Sequence, residues 1–167
     1  MKKFLYAILA ASTLFFSSCT KEEDDNKIDI SKPVMLQRGY WQMTSYKVQA
    51  NYYDPEQFPV EQIETLDQCL KDNVWVFTSD TELKIEENFM KCVITDPDVR
   101  YLYYDIYGSD TWIKIWSNPD DIDNSIVLNG EIKNISADEF IVKSTTYDEA
   151  TQITTLHVRG FTKYIPQ

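Results

Sequence analysis

Short segments rich in β-branched and aromatic residues recur along the chain from Tyr40 onward, and turn signals separate them. No long stretch with helical periodicity interrupts these segments, so the crossover helices that parallel strands require are not expected. Between Glu82 and Glu87 apolar and charged residues alternate, which predicts a strand with one face in water. The pattern therefore predicts an antiparallel, all-β fold.

We predict eight strands, at residues 41–50, 74–78, 82–87, 101–107, 111–117, 125–132, 139–147 and 152–162. A hairpin-joined series of this length either closes into an up-and-down barrel or folds into a sandwich. Closure removes exposed strand edges, so we predict an eight-stranded antiparallel up-and-down barrel over residues 36–167. The connection 51–68 is expected to contain one or two helical turns, because Ile63 and Leu66 would share a face.

The first nineteen residues have the pattern of an export signal. Lys2 and Lys3 precede an apolar run, 4–16, that is too short to span a bilayer as a mature helix. The small residues Ser17 and Ser18 before Cys19 resemble the lipobox of bacterial lipoproteins, which implies removal of 1–18 and lipidation of Cys19. The alternative is an ordinary signal peptide cut nearby, which would leave Cys19 as a free thiol.

Residues 19–35 are predicted to form an acidic tether. Lys21 followed by the acidic run 22–25 fits a solvated linker, and it also resembles the surface-export signal of Bacteroidota lipoproteins. The chain has 16 basic and 27 acidic residues and a net charge of −11, which becomes −13 once 1–18, with two Lys and no acid, is removed. Such charge disfavours nucleic acid as a partner. We expect a monomer anchored in outer-membrane lipid through Cys19, on either the inner or the outer leaflet.

Three cysteines are present, and two of them lie beside neighbouring strands. With a turn centred on Ser79 and Asp80, the residue numbers of two partners paired across the antiparallel ladder add up to about 159. The numbers 69 and 92 add up to about 161, which is close to that value. The hairpin would bring Cys69 and Cys92 to bridging distance in an oxidising compartment, so we predict a disulfide. The alternatives are two buried thiols, or a zinc site, which a single His and no CxxC pattern disfavour.

Gly39-x-Trp41 at the start of the first strand matches the Gly-x-Trp motif of lipocalins. The resemblance implies that Trp41 packs at the closed end of the barrel and that a basic residue of the last strand, here Arg159, lies over its ring. A second element resembles the lipocalin-like domains of Bacteroidota lipoproteins: Cys69-x-x-Asp72-Asn73-x-x-x-Phe77 followed by Cys92, with 135–140 as a turn into a late strand. The resemblance covers about 36–165 and implies a fold, an envelope location and a pocket.

Aromatic residues make up 14% of the chain. Two adjacent predicted strands carry five of them on shared faces, Tyr101, Tyr103 and Tyr107 on one and Trp112 and Trp116 on the next, and a hairpin would place the two sets side by side. One interpretation is an aromatic wall that lines a pocket for an apolar, flat or sugar ligand. The other is that these rings fill the barrel or cover a gap between its strands.

Little in the sequence favours catalysis. His157 is the only histidine, and four glycines leave no glycine-rich phosphate loop. The oxygen-rich loop 120–124 lacks the spacing of a calcium loop and is interpreted as solvated. We predict no metal, no cofactor and no enzymatic activity. The leading hypothesis is an envelope protein that binds a small apolar or amphipathic ligand in its barrel; the alternative is a protein or glycan interaction module with a filled barrel.

Overall fold

A computed structural model of the protein describes residues 31–166. The elements are α1 (Lys32–Gln37), β1 (Tyr40–Gln49), β2 (Val60–Glu61), a 3-10 turn (Ile63–Thr65), α2 (Gln68–Lys71), β3 (Val74–Phe77), β4 (Glu82–Glu86), β5 (Val99–Tyr107), β6 (Trp112–Trp116), β7 (Ile126–Ile135), β8 (Glu139–Asp148) and β9 (Ile153–Tyr164). Each predicted strand corresponds to one of these. The expected helical turn in 51–68 is the 3-10 turn, and β2 is a short extra strand.

The sheet closes on itself. From β3 to β9 each strand pairs antiparallel with the next, and β1 pairs with both β3 and β9. β1, β3 and the six strands that follow form the ring, while β2 adds to β1 outside it through pairs such as Lys47 with Glu61. The fold is therefore a closed, eight-stranded, antiparallel up-and-down barrel with lipocalin-like topology, as predicted.

Helix α1 closes one end of the barrel. Leu36 is completely buried, and its carbonyl oxygen accepts a 2.7 Å hydrogen bond from the Trp41 indole nitrogen. The side chains at the two ends of α1 reach hairpins at this end: Lys32 donates to the carbonyl of Asp110 and Gln37 to the carboxylate of Asp80. The helix thus straddles the expected boundary at residue 36 and packs as part of the barrel.

Aromatic side chains fill the half of the barrel beneath α1. Trp41 meets Phe140 edge-on at 5.0 Å between ring centroids, and Phe140 stacks on Phe161 at 4.4 Å. Phe77 packs edge-on against Tyr104, whose hydroxyl donates to the carbonyl of Ser79. This half is a packed core, and edge-to-face contacts of this kind add to the stability gained from burying the rings.

Gly130 permits a close approach between β7 and β8. A Cβ atom at this position would lie 2.5 Å from the backbone oxygen of Lys143 and 2.7 Å from a methyl carbon of Val142. Backbone cannot yield as the end of a side chain can, so only glycine fits without a shift of one strand. Glycine within a strand often marks such a close approach of a neighbouring backbone.

The predicted disulfide is present: Cys69 and Cys92 are bonded, with their Cα atoms 5.1 Å apart. The ladder between β3 and β4 has partner numbers that sum to 160, as in Val74 with Glu86, which agrees with the register used to predict the bridge. Cys69 lies in α2 and Cys92 in the loop after β4, so the bond joins two segments just beyond the ladder. Asp72 fixes the same loop, because one carboxylate oxygen accepts the backbone N–H groups of residues 89 and 90.

The predicted signal peptide at 1–18, the lipidation site Cys19 and the acidic run 22–25 lie outside the described residues. None of the helices within 31–166 combines the length and the apolar character that a membrane crossing requires.

Candidate ligand-binding cavity

The half of the barrel opposite α1 contains a cavity of about 240 Å³. Its walls come from β1, β3, β4, β5, β7 and β9, and the segment that contains the 3-10 turn and α2 borders its mouth. Most of the lining is apolar, and it comprises Met43, Tyr46, Leu66, Leu70, Asn73, Trp75, Ile85, Arg100, Val127, Leu128, Arg159 and Phe161. The barrel is therefore filled in one half and hollow in the other.

Arg159 projects from β9 into this cavity. Its guanidinium lies 5.4 Å from the centre of the Tyr46 ring and donates a 2.8 Å hydrogen bond to the Ser144 hydroxyl. Within residues 31–166 no carboxylate oxygen lies within 4 Å of it. Burial lowers the pKa of Arg159, although a guanidinium keeps its proton at physiological pH. The wall thus presents a cation without an ionic partner among the described side chains.

His157 lies on the same face of β9 as Arg159 and fixes the Tyr46 ring. Its Nδ1 is 2.8 Å from the Tyr46 hydroxyl, and its Nε2 is 2.9 Å from the hydroxyl of Thr146. Burial, together with the positive charge of Arg159, lowers the pKa of His157 below its ordinary value of 6.5. The imidazole is therefore neutral near pH 7, and both ring nitrogens already have hydroxyl partners. Within the described chain it has no carboxylate to orient it as a catalytic base.

A second guanidinium enters the cavity from the opposite wall. Arg100 is on β5 and its Nε lies 3.8 Å from the carboxylate of Glu87, whose side chain is 1% exposed. That distance is too long for a hydrogen bond, and both carboxylate oxygens of Glu87 lack a hydrogen-bond donor within residues 31–166. The pair compensates charge but leaves hydrogen-bonding capacity unused on both partners.

Asn73 adds an amide to the lining. The residue is 3% exposed, and its Oδ1 has no hydrogen-bond donor in the described part of the chain. A buried carbonyl oxygen without a donor is uncommon in native proteins and costs free energy. In the sequence Asn73 stands out only as part of the family motif, whereas the structure places it in the cavity wall.

The five aromatic residues predicted as a ligand wall lie on the outside of the barrel. They alternate with buried residues such as Leu102 and Ile113, and none of the five contacts the cavity. The predicted neighbours do meet across the hairpin, because Tyr103 stacks on Trp116 and Tyr107 on Trp112. The two sets are thus adjacent but face outward, so Tyr101, Tyr103, Tyr107, Trp112 and Trp116 neither line the inner cavity nor fill the barrel.

One of these outer aromatics, Trp112, borders a second concavity, which we call the outer groove. It has a volume of about 400 Å³, and Trp112 and Tyr52, both substantially exposed, lie along it. Polar residues dominate the remainder of the groove: Asn129, Glu131, Lys133, Lys143 and Thr145, the backbone of Ser144, whose side chain faces Arg159 inside the barrel, and the apolar Leu156. Flat rings beside hydrogen-bonding groups suit a polar ligand better than an apolar one.

The expected packing of Arg159 on Trp41 is wrong. Trp41 is buried at the closed end as predicted, but its neighbour across the β1–β9 ladder is Lys163, whereas Arg159 is opposite Tyr46. The Cε atom of Lys163 lies 3.5 Å from the place of a Cβ on Gly39, and the Trp41 ring lies 3.4 Å from the same place. Lys163 therefore occupies the position, next to Gly39 and Trp41, that the family motif assigned to Arg159.

The acidic loop between β6 and β7 is held by its own contacts. The Asn118 side chain accepts the backbone N–H of Asp120, the Asn124 side chain donates to Asp121, and Lys114 pairs with Asp123. Within 31–166 no three His, Cys, Asp or Glu side chains are grouped as a metal site would require.

Comparison with known proteins identifies no relative: no family model matches the sequence, and no curated protein shows significant similarity to it.

Proposed function

We propose that this protein is a lipid-anchored, lipocalin-like component of the bacterial envelope that binds a small apolar or amphipathic ligand in the open half of its barrel. The observation that carries the proposal is the cavity itself, a concave, largely apolar site with a few polar side chains directed into it. Sites of this composition are typical of small-molecule binding. At about 240 Å³ the cavity is somewhat smaller than the roughly 300–1,000 Å³ of drug-sized pockets, so it suits a compact ligand.

Exposed apolar side chains at the open end of the barrel support an amphipathic ligand. The loop between β4 and β5 exposes Phe89 and Ile94, at 83% and 89%, and Leu70 and Val127 on the cavity rim are also exposed. Exposed apolar surface beside a pocket often marks a site of interaction. Side chains of this kind at the open end of the barrel would receive the apolar tail of a ligand.

The position of α1 supports a mouth that faces away from an anchoring membrane. The described chain begins beside the closed end, where Lys32 contacts the hairpin after β5. A lipid on Cys19 would be attached to that end through the tether. The cavity, at the opposite end of the barrel, would then remain accessible to a ligand.

Native mass spectrometry of the protein released from envelope extract tests ligand binding. We expect a retained small molecule on the wild type and its loss from Leu128→Trp, which would fill the cavity. The matched control is Tyr101→Trp, which enlarges a side chain that is 71% exposed on the outer wall. Equal occupancy of the wild type and Leu128→Trp would contradict the proposal.

Metabolic labelling with an alkyne fatty acid tests the anchor. We expect label on the wild type and none on Cys19→Ser, because the lipid would be attached to that sulfur. The control is the double variant Cys69→Ala, Cys92→Ala, which removes the other two cysteines and should retain the label. Labelling of Cys19→Ser would refute the lipobox interpretation.

The outer groove favours a second candidate function, the binding of a glycan at the envelope. Sugar rings stack on exposed aromatic faces while their hydroxyl groups bind polar side chains, and Trp112 and Tyr52 lie among such side chains in this groove. We expect Trp112→Ala to abolish retention on an immobilised glycan array, and Tyr101→Ala, on the same outer surface but outside the groove, to leave it intact. Equal retention of the two variants would count against this candidate.

A further inference from the structure

The charges around the cavity do not cancel. Arg159 on β9 and Arg100 on β5 come from strands on opposite sides of the eight-stranded ring, and both side chains line the cavity. Only Arg100 has a carboxylate nearby, that of Glu87. With His157 neutral, Arg159 is the one charged residue of the cavity lining within 31–166 that has no carboxylate nearby. A charge held among apolar side chains is costly unless an opposite charge pairs with it.

Arg159 also has unused hydrogen-bonding capacity. A guanidinium carries five N–H donors, and within 31–166 only one bond from Arg159 is made, to the Ser144 hydroxyl. The Tyr46 ring beneath it and the Ser144 hydroxyl beside it hold the group in place. A guanidinium held in this way can bind both oxygens of a carboxylate in parallel, a geometry that a lysine cannot offer.

The buried amide of Asn73 points independently to a polar ligand group. Its Oδ1 has no donor within the described residues although the side chain is almost fully buried in the cavity wall. The oxygen and the nitrogen of the Asn73 side-chain amide are similar in size and shape. Rotation of the amide group can therefore direct the nitrogen into the cavity in place of the oxygen. This side chain can therefore complete the contacts of a head group inside the cavity.

We propose that the cavity binds a monocarboxylate amphiphile, with the head group on Arg159 and the apolar tail directed along Leu128 and Val127 to the mouth. The inference rests on the proposed ligand-binding function and specifies its ligand. One negative charge balances the single excess positive charge. A phosphate dianion would leave an excess negative charge in an apolar site that already contains Glu87, and a neutral alcohol would leave Arg159 unpaired.

Titration calorimetry with octanoate and with 1-octanol tests this assignment on the full chain held in lipid nanodiscs, with empty nanodiscs as the blank. The two probes have the same chain length and differ in the head group. We expect octanoate to bind the wild type about ten- to a hundredfold more tightly than octanol, as a charge-assisted pair would produce. Arg159→Gln should remove that preference and leave the affinity for octanol within about twofold.

Two further variants separate the guanidinium from a general charge effect. Lys163→Gln removes one positive charge from the same strand at the closed end, and we expect it to bind both probes as the wild type does. Arg159→Lys retains the charge without the planar fork and should recover only part of the octanoate preference. Thermal melting without ligand shows whether each variant is folded.

The outcomes are distinguishable. Equal affinity for octanoate and octanol, unaltered in Arg159→Gln, would overturn the carboxylate assignment and leave the cavity as a site for neutral ligands. Binding of neither probe by the folded wild type at millimolar concentration would overturn the assignment together with the ligand-binding proposal. Loss of octanoate binding from Lys163→Gln to the same extent as from Arg159→Gln would show that net charge, and not this guanidinium, decides the preference.

Discussion

Removal of the disulfide in the double variant Cys69→Ala, Cys92→Ala should lower the free energy of unfolding by about 3.5 kcal/mol. The bond closes a loop with a sequence separation of 23 residues. In the chain-entropy description, the cost of closing a loop of that length in the unfolded chain is about 3.5 kcal/mol, which the covalent bond removes. Asp72 continues to hold residues 89 and 90 in the variant, so we expect the native barrel to persist with reduced stability.

Urea unfolding followed by tryptophan fluorescence measures this change. With a slope of about 1–3 kcal/mol per molar urea, the midpoint should fall by about 1–3.5 M. Dithiothreitol should lower the midpoint of the wild type to that of the variant and leave the variant unaltered. A fall of less than about 0.5 M would refute the entropic reasoning, and so would a reductant effect on the variant that equals its effect on the wild type.

Three further predictions concern the barrel and its inner wall. Gly130→Ala should lower the free energy of unfolding by about 2 kcal/mol or more, because its Cβ would lie 2.5 Å from a backbone oxygen. Gly39→Ala, whose Cβ would lie 3.4 Å from the Trp41 ring, should lower it by less than about 1 kcal/mol. Comparable urea midpoints for the two variants would contradict the steric argument. Asp72→Ala should lower the free energy of unfolding by about 1–3 kcal/mol, because the backbone N–H groups of residues 89 and 90 lose their acceptor. Amide hydrogen exchange at these two residues should accelerate. Unaltered exchange there would refute the role of Asp72 in holding the loop. The pKa of His157 is lowered in the fold, so protonation favours the unfolded chain, and the stability that the neutral ring contributes is lost as the pH falls through about 6.5. Between pH 7.5 and 5, wild type should therefore lose more stability than His157→Gln in paired urea titrations; an equal or smaller loss would show that the imidazole is not held neutral.

The outward position of the aromatics has a signal in the sequence that the ligand-wall interpretation did not use. Tyr103 and Tyr107 share their strand face with Asp105, and Trp112 and Trp116 share theirs with Lys114. Between residues 101 and 116 the opposite faces of the two strands carry Leu102, Tyr104, Ile106, Ile113 and Ile115, and a charged residue usually marks the side of a strand that faces water. Asp105 and Lys114 therefore indicate the outer face of this hairpin, although Arg100, at the start of β5, faces inward.

The inner wall of β9 could not be assigned in the same way. Leu156 and Val158 alternate with His157 and Arg159, and the usual rule places the apolar set inside. In the structure the polar set is inside, and Leu156 is buried on the outer side, where the chain after β1 pairs with β9 through Tyr52. Because the chain after β1 covers the outer face of β9, an apolar residue can be buried on that face. The sequence of β9 itself does not indicate that this segment lies over it.

The strands, their order, the closure of the barrel and the disulfide were all predictable from the amino-acid sequence. They depend on local information, because alternation, turn residues and the register of one hairpin involve residues close together along the chain. The aromatic ring that Arg159 packs on, in contrast, depends on the tertiary fold. Trp41 is opposite Lys163 on one side of a β-bulge between Met43 and Ser45, and this bulge shifts the β1–β9 register by one residue. Beyond the bulge Arg159 is therefore opposite Tyr46, whereas the unshifted register would place it opposite Ser45. A bulge is an adjustment between two strands more than a hundred residues apart, so its position depends on how the whole barrel closes.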